Sequence, residues 1–295
     1  MEFKGTYTAL ITPFKNDEVD YEGLKQNILF QIGQGIEGIV PLGTTAETPT
    51  LSEEEQERII KLSVETAKGK VKIMVGTGSN STKHTIEKTL RAKELGADAA
   101  LIVTPYYNKP TQEGIFLHFK AVSEAVHIPI VVYNIQGRSG VNIETATLER
   151  IAKLRGIIGV KEASGNLNQM MDVITKIQTA SNPHFNVLSG DDGITVPLIA
   201  MGGRGVVSVV SNLVPGKIVE MVNAALKGDI QSARKMHYEL LPLFQTAFIE
   251  TNPIPIKEAM NLCKMAAGNC RLPLCEMKAE NKEKLKRVLQ DMKLI

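Results

Sequence analysis

The chain has 295 residues, of which 43% are hydrophobic and 22% charged, a composition typical of a globular protein rather than a disordered or fibrous one. Its net charge of +2 arises from scattered Lys and Arg residues, which argues against nucleic-acid binding because that function usually needs a clustered basic surface. No apolar run approaches the ~18 residues of a membrane-spanning helix, and the N-terminus lacks the pattern of a secretory signal. We therefore expect a cytoplasmic protein that binds neither nucleic acid nor membrane.

Short, β-branched apolar runs alternate along the chain with segments of helical periodicity. The runs predict eight strands, at Thr6–Ile11, Gly38–Pro41, Lys72–Gly76, Ala99–Val103, Ile130–Asn134, Ile157–Glu162, Asn186–Ser189 and Gly205–Val209. The segments between them predict helices, among them Ser52–Ala67, Ser81–Glu94, Ile143–Lys153 and Leu167–Thr179. Ser52 followed by Glu55 is a capping box, which supports a helix that begins there.

The order of these elements predicts an α/β fold, a (β/α)8 TIM barrel that occupies residues 1–228. The spacing of the strands leaves room for a crossover helix between consecutive strands, and their near-continuous apolar character suits a parallel sheet that is buried on both faces. Eight successive strand–helix units are the number that closes such a barrel. An open, doubly wound parallel sheet is the structural alternative.

The remaining segment, residues 229–295, predicts a C-terminal helical region that packs on the barrel, because no Gly/Ser-rich linker precedes it. Its predicted helices are Asp229–Ala247, Pro255–Cys263 and Lys278–Met292. The region also contains the three cysteines of the chain, Cys263, Cys270 and Cys275. Their odd number and their spacing indicate reduced thiols rather than disulfides or zinc ligands.

Lys161 is the most informative residue of the sequence. It follows the apolar run 157–160 near the carboxyl end of the sixth predicted strand, where barrel enzymes place their catalytic groups. Desolvation at such a position disfavours a charged ammonium and leaves a neutral amine that can attack a carbonyl group. A lysine that extends its charged end into solvent is the structural alternative.

Three further groups lie at the ends of neighbouring predicted strands. Tyr133 closes the fifth strand and can relay protons to and from an imine, or it can simply pack its ring at the rim. Residues 43–45 (Gly-Thr-Thr) offer hydroxyls and backbone donors to a carboxylate, or they form a turn that leads into a helix. Arg138, in a glycine-containing loop, can present a planar fork to a second carboxylate, or it can lie in solvent.

Other suggestive patterns support neither a cofactor nor a metal site. Residues 76–78 (Gly-Thr-Gly) are too short for a dinucleotide-binding loop. The glycines between 202 and 205 lead into the eighth predicted strand instead of following it, which favours a tight turn over a phosphate site. Asp191 and Asp192 have no His or further carboxylate nearby in sequence, so we predict no bound metal.

Several of these segments, in this order and at these separations, resemble the dihydrodipicolinate synthase / N-acetylneuraminate lyase family. They are residues 43–47 (GTTAE), 133–134 (YN) and 159–164 (GVKEAS), and the similarity extends over essentially the whole chain. The resemblance implies a lyase that needs no cofactor. It would condense pyruvate with L-aspartate 4-semialdehyde through a lysine Schiff base to give 4-hydroxy-tetrahydrodipicolinate, in the biosynthesis of lysine through diaminopimelate.

The resemblance implies four catalytic residues. Lys161 would form the pyruvate imine, and Tyr133 would relay protons together with Thr44. Tyr107 would complete this relay from a neighbouring subunit, in a homotetramer built as a dimer of dimers. The adjacent aromatic pair at 106–107 agrees with burial at a subunit interface, because an exposed loop rarely carries two free aromatic rings.

The resemblance also implies four substrate-binding residues. Thr45 would help to hold the pyruvate carboxylate, and Gly190 and Val207 would line the pyruvate pocket. Arg138 would bind the carboxylate of the semialdehyde at the entrance to the site. In the family this arginine usually lies in a Tyr-Asn-x-Pro-Gly-Arg-Thr loop, whereas residues 133–139 read Tyr-Asn-Ile-Gln-Gly-Arg-Ser. The missing proline frees the loop backbone, so the placement of Arg138 stays open.

Two other functions remain as alternatives. A pyruvate-forming sugar-acid lyase, such as N-acetylneuraminate lyase, would bind a polyhydroxylated chain, whereas this loop offers the guanidinium of Arg138. A non-catalytic barrel is disfavoured because the lysine, the tyrosine and the paired threonines are all present.

A regulatory expectation concerns L-lysine. In lysine-sensitive members of the family, the inhibitor binds behind the loop after the second strand, where an acidic side chain holds an ammonium group. His84 occupies that position here, and an imidazole cannot replace a carboxylate as the partner of an ammonium. We therefore expect no appreciable inhibition, unless Glu53 on the opposing helix compensates.

Overall fold

Eight parallel strands close into a barrel in the computed structural model of the chain, which describes residues 3–295. Consecutive barrel strands are neighbours, and the first strand pairs with both the second and the eighth. This closing pair confirms the predicted (β/α)8 TIM barrel and excludes the open, doubly wound sheet. Residues 1 and 2, with which the predicted barrel segment begins, lie outside the described residues.

The observed strands agree closely with the predicted ones, and the strands at 72–76, 99–103, 130–134, 157–162 and 186–189 have the predicted bounds. A short antiparallel hairpin outside the barrel, in which residues 14–15 pair with residues 18–19, was not predicted. The strands are β1 Gly5–Ala9, β2 Phe14–Lys15, β3 Glu18–Val19, β4 Gly38–Val40, β5 Lys72–Gly76, β6 Ala99–Val103, β7 Ile130–Asn134, β8 Ile157–Glu162, β9 Asn186–Ser189 and β10 Gly205–Ser208.

Helices surround the barrel and follow it. They are α1 Tyr21–Gly33, α2 Glu53–Ala67, α3 Thr82–Glu94, α4 Gln112–Ala125, α5 Gln136–Ser139, α6 Thr145–Ala152, α7 Leu167–Val173, α8 Thr195–Ala200, α9 Pro215–Leu226, α10 Ile230–Thr246, α11 Ile254–Leu262 and α12 Ala279–Asp291. The predicted capping box is confirmed, because the Glu55 amide donates to the Ser52 hydroxyl and the Ser52 amide donates to the Glu55 carboxylate. Helix α7 continues to Thr179 as a π-helix. None of the helices within residues 3–295 has the length and apolar character that a membrane span requires.

Alternation along β8 determines which side chains reach the interior of the barrel. Val160 points outward and packs with Leu148 and Met170 of the surrounding helices. Lys161, the next residue, points inward and borders a cavity at the carboxyl end of the strands. Glu162 points outward again, where it is fully buried. A single strand therefore places an amine in the cavity and a carboxylate directly behind it.

The C-terminal helices pack on the barrel and share its hydrophobic core. Phe244 of α10, Ile256 of α11 and Leu285 of α12 belong to the same cluster of buried side chains as Val206 of β10. Because this packing is continuous, residues far along the chain come close to the loops at the carboxyl ends of the strands.

The three cysteines of this region are free thiols, with Cys263 and Cys270 partly buried and Cys275 exposed. Burial, and after it the nearby Glu47 carboxylate, raises the pKa of Cys270 to about 12. Cys270 is thus protonated at neutral pH, which makes it a poor nucleophile.

Candidate active site

A small cavity of about 40 Å³ lies at the carboxyl ends of the barrel strands. Barrel enzymes carry their active sites at this face. Six of the residues predicted for the site line the cavity together, namely Thr44, Thr45, Tyr133, Arg138, Lys161 and Gly190. These residues come from four different loops or strand ends, so the closed barrel is what brings them together.

The side chain of Lys161 is directed into this cavity and not into solvent. Lys161 is only 6% exposed, and its Nζ lies 4.0 Å from the centroid of the Tyr133 ring. The two residues are paired in register across β7 and β8, which fixes them side by side. An amine buried against a phenol is well placed to attack a carbonyl carbon while the phenol handles protons.

Gly190 leaves the space in which a small substrate can reach Lys161. A Cβ atom at position 190 would lie 2.6 Å from the Cβ of Ala163 and 3.1 Å from the Cε of Lys161. Both distances are shorter than ordinary contacts, so any larger residue would displace the lysine or fill the cavity. The Gly190 amide also donates to the Glu162 carbonyl at 2.8 Å, which holds the glycine beside β8.

The threonine pair lies in a 3-10 turn, Thr44–Ala46, that follows β4. Leu42 and Glu47 flank this turn, and both have left-handed backbone conformations with φ of 57° and 56°. Residues with a Cβ adopt this conformation at a cost of about 1–3 kcal/mol each, and they keep it only where surrounding contacts enforce it. One such contact reaches Thr45, whose hydroxyl accepts a hydrogen bond from the Asn252 side chain at 2.9 Å.

Arg138 lies in the one-turn helix α5 at the edge of the cavity. The Ser139 hydroxyl donates to the carbonyls of Ile135 at 2.9 Å and Val141 at 2.8 Å, which closes the loop locally. Gly140 ends the turn with φ of 75°. The guanidinium donates to the Asn252 carbonyl at 3.2 Å. Serine thus fixes a loop that lacks the family's proline, and Arg138 still reaches the cavity.

A buried polar network supports this loop from behind. The Glu162 carboxylate accepts hydrogen bonds from the Asn134 side chain at 3.2 Å and from the Ser164 amide at 2.8 Å. Asn134 also donates to the Asn142 side chain at 2.9 Å and accepts from the Ile143 amide at 3.0 Å. Burial raises the pKa of Glu162, and these hydrogen bonds oppose that rise only in part.

Two predicted residues do not line the cavity. Val207 is buried in β10, and Val209, two residues further along the chain, borders the cavity at this position. Tyr107 is 88% exposed and has a left-handed backbone with φ of 72°. It does not line the cavity of its own chain, whereas Tyr106 lines an adjacent cavity of about 160 Å³ that also borders Thr44 and Tyr133.

Sequence reasoning missed the contribution of the C-terminal region to the site. Phe248 and Asn252, which precede α11, both line the cavity. Asn252 contacts Thr45 and Arg138, so it connects the two loops that were predicted to bind carboxylates. No local pattern marks these residues, because they reach the site only through the packing of α10 and α11 on the barrel.

Asp192, one of the aspartates considered as a metal ligand, has a structural role. Asp192 accepts hydrogen bonds from the Ser208 hydroxyl at 2.5 Å and from the amides of Val209 at 3.0 Å and Val210 at 3.2 Å. Burial raises its pKa to about 6. Within the described range 3–295, no group of three or more His, Cys, Asp or Glu side chains is arranged to hold a metal ion.

A larger cavity of about 400 Å³ lies behind the loop that follows β4, between α2 and α3. It does not border Lys161. Both His84 and Glu53 line it, together with the cationic residues Lys88 and Arg91. Six of the eight predicted site residues line the smaller cavity and none lines the larger one, so chemistry rather than size identifies the active site.

Comparison with known proteins gives one consistent family. The model of the dihydrodipicolinate synthetase family matches residues 2–292. The 4-hydroxy-tetrahydrodipicolinate synthase of Protochlamydia amoebophila is 56% identical over 99% of this chain and 97% of its own. That of Methanocaldococcus jannaschii is 51% identical over 99% and 100%. A crystal structure of a dihydrodipicolinate synthase, 51% identical, superimposes with a TM-score of 0.96 over 99% of this chain and 100% of its own.

Proposed function

This chain belongs to the dihydrodipicolinate synthetase family, and from that premise we propose that it condenses pyruvate with L-aspartate 4-semialdehyde through an imine on Lys161. It is a lyase of the 4-hydroxy-tetrahydrodipicolinate synthase type, which acts in lysine biosynthesis through diaminopimelate. The single observation that supports the site assignment best is the buried Lys161 amine beside the Tyr133 ring, in a cavity that Gly190 keeps open.

The chemistry begins when the Lys161 amine attacks the keto carbon of pyruvate. The resulting carbinolamine loses water with the help of Tyr133, which relays protons together with Thr44. The protonated imine withdraws electrons, so the pyruvate methyl group loses a proton and an enamine forms. The enamine carbon then attacks the aldehyde of the second substrate, and the aldehyde oxygen takes up a proton to become a hydroxyl group. The amino group of the semialdehyde portion then attacks the imine carbon and displaces Lys161, which releases the cyclic product and the free amine. Because the imine itself is the electron sink, no step of this scheme calls on a metal or an organic cofactor.

Lys161 is preferred as the nucleophile over the other deeply buried lysine within residues 3–295, Lys257. The three donors of the Lys257 ammonium are engaged by Glu47 and by the carbonyls of Thr12 and Asn269. Lys257 also does not line the cavity. An amine whose three donors are engaged away from the cavity cannot attack a carbonyl bound there, whereas Lys161 faces an aromatic ring and open space.

The two carboxylates of the substrates are assigned to different loops. Thr44 and Thr45 hold the pyruvate carboxylate beside Lys161, and Gly190 leaves the space around it. Val207 supports this pocket from within β10, two residues before Val209, which borders the cavity. Arg138 binds the carboxylate of the semialdehyde, since a guanidinium fork suits a second anion that arrives after pyruvate is bound. Support comes from the shared cavity, in which Arg138 and the threonines face Lys161 from separate loops.

The proton relay extends to a second subunit in this proposal. Tyr107 is largely exposed in the single chain, and its ring has no place in the cavity of that chain. Such an aromatic residue becomes useful when a neighbouring copy covers it, and we propose a homotetramer in which Tyr107 joins Thr44 and Tyr133 of its neighbour. The free thiols of the chain support the cytoplasm as its compartment.

One assay separates this function from that of a sugar-acid lyase. The purified protein is given pyruvate with L-aspartate 4-semialdehyde, and in parallel pyruvate with N-acetylmannosamine, and pyruvate consumption is followed. We expect turnover only with the semialdehyde, because the cavity offers the Arg138 guanidinium where a sugar chain would need hydroxyl-binding groups. Turnover of N-acetylmannosamine alone would refute the assignment.

A further inference from the structure

The turn that presents Thr44 and Thr45 is attached to a fully buried ion pair outside the active site. The Glu47 carboxylate follows the turn directly and lies 2.8 Å from the Lys257 ammonium, and the two side chains are 1% and 2% exposed. The second oxygen of Glu47 accepts from the Arg271 amide at 2.9 Å. Neither Glu47 nor Lys257 borders the catalytic cavity, so neither can touch the substrates.

The hydrogen bonds of Lys257 lead to the same turn by a second route. Its ammonium also donates to the Thr12 carbonyl at 3.1 Å and to the Asn269 carbonyl at 2.9 Å. The Thr12 hydroxyl in turn donates to the carbonyl of Ala46, the last residue of the threonine turn, at 2.8 Å. All three N–H donors of the Lys257 ammonium are therefore used. One of them reaches Glu47 directly, and a second reaches Ala46 through Thr12.

The backbone at Glu47 needs such restraint. Its φ of 56° is left-handed, a conformation that a side-chain-bearing residue leaves unless its surroundings hold it. If Glu47 relaxed, the end of the Thr44–Ala46 turn would rotate and both threonine hydroxyls would move away from Lys161. Burial of two charges also costs desolvation free energy, so a contribution to stability does not by itself explain why the ion pair is present.

We propose that Lys257 is a positioning residue for pyruvate binding, which acts through Glu47 to hold the threonine turn in its active conformation. The inference rests on the proposed function, because it assumes that the turn binds the pyruvate carboxylate. Lys257 belongs to α11, so the C-terminal helical region becomes part of the catalytic apparatus and not only a cover for the barrel.

The test measures how much pyruvate half-saturates imine formation, by borohydride trapping and mass spectrometry of the intact protein. The variants are Lys257→Met, Glu47→Asp and the double variant Glu47→Gln/Lys257→Met, which removes both charges together. We expect each to raise the half-saturating pyruvate concentration by about tenfold or more, since small displacements of binding groups have large effects. The double variant should recover much of the melting temperature that Lys257→Met loses, without recovering pyruvate affinity.

The matched control is Lys282→Met, which removes another ion pair of α11. Lys282 lies 2.6 Å from Glu258 and connects α11 to α12, away from the threonine turn. It should leave pyruvate saturation unchanged. A double variant with wild-type pyruvate saturation would overturn the proposal and leave the pair a purely structural role. If neither Lys257→Met nor the double variant folds, Glu47→Asp decides, because it keeps both charges and only draws the carboxylate back from the Lys257 ammonium by one methylene group.

This experiment separates the inference from the function on which it rests. If the wild-type protein forms no borohydride-trapped adduct at any pyruvate concentration, the imine mechanism fails. If the wild-type protein is trapped normally and all variants saturate as it does, only the positioning role of Lys257 fails.

Discussion

The two loops that present carboxylate-binding groups to the cavity are stabilised in opposite ways. The threonine turn is held by residues that are 207, 210 and 224 positions away in the sequence, namely Asn252, Lys257 and Arg271. The Arg138 loop is held mainly by its own neighbours, through the Ser139 hydroxyl and the Asn134–Asn142 contact. A loop that closes on itself can absorb a sequence change, whereas the threonine turn depends on the whole fold.

The buried carboxylates behind the two loops also differ, in the charge of the groups that hold them. Glu47, behind the threonine turn, is paired with the Lys257 ammonium. Glu162, behind the Arg138 loop, accepts hydrogen bonds from the neutral groups of Asn134 and Ser164. Removal of one member of a buried ion pair leaves the other charge without its partner, which is strongly destabilising. A buried carboxylate that is held by neutral donors instead keeps a raised pKa, as Glu162 does.

The largest loss of activity is expected from a substitution in the threonine turn. Thr44→Val removes a hydroxyl that serves both proton relay and carboxylate binding, and kcat/KM should fall by about 10²–10⁴-fold. Thr44→Ser, which keeps the hydroxyl, is the control and should retain most of the activity. Steady-state assays with both substrates measure the difference. Equal activity of the serine and valine variants would mean that the turn contributes packing only.

A smaller loss of activity, which affects only the second substrate, is expected at the Arg138 loop. Arg138→Ala removes a charge-assisted contact to the semialdehyde, which costs on the order of 1.5–3 kcal/mol, or about 10–100-fold in the KM of that substrate. Imine formation with pyruvate should be unchanged in the borohydride assay. Ser139→Ala, which loosens the loop but keeps the guanidinium, should show a weaker form of the same effect. Equal damage to both substrates would contradict the division of roles between the loops.

The two buried carboxylates should respond differently to pH and to neutralisation. Burial raises the folded-state pKa of Glu162, so its contribution to stability is greatest below its ordinary value and is lost as the pH rises through the folded pKa. The melting temperature of Glu162→Gln, relative to wild type, should therefore rise from pH 4.5 to pH 8. Glu47→Gln instead leaves the Lys257 ammonium unpaired and should lose about 3–5 kcal/mol. A pH-independent offset for Glu162→Gln would show that burial does not perturb this carboxyl group.

The smallest effect is expected from L-lysine at the cavity behind the threonine turn. Glu53 does line this cavity beside His84, but Lys88 and Arg91 line it as well and oppose a ligand with two ammonium groups. Two further acidic residues line it, but Glu57 is already held by Arg91 at 2.7 Å and Glu87 lies 3.8 Å from Lys83. The steady-state rate should thus stay unchanged when L-lysine is titrated to about 1 mM, because these charges permit only a weak affinity, with a dissociation constant on the order of millimolar or higher. Strong inhibition at lower concentrations would show that Glu53 compensates for His84.

The sequence predicted those parts of the molecule that local patterns determine. The barrel strands followed from apolar runs, and Lys161 and Tyr133 followed from their places at the ends of such runs. The placement of Arg138, which the sequence left open, is at the edge of the cavity, because Ser139 closes its loop locally although the loop departs from the family pattern. The contacts of Asn252 and Lys257 could not be foreseen, since they depend on how α10 and α11 pack more than 200 residues from the turn they hold.

The central claim, that Lys161 carries the substrate imine, is tested most directly by borohydride trapping. The wild-type protein is incubated with pyruvate, reduced, digested and sequenced by mass spectrometry, with Lys161→Ala treated in parallel. We expect one reduced pyruvyl adduct, on the peptide that contains Lys161, and complete loss of both adduct and turnover in Lys161→Ala. An adduct on Lys257 or on any other lysine, or an adduct that persists in Lys161→Ala, would contradict the account.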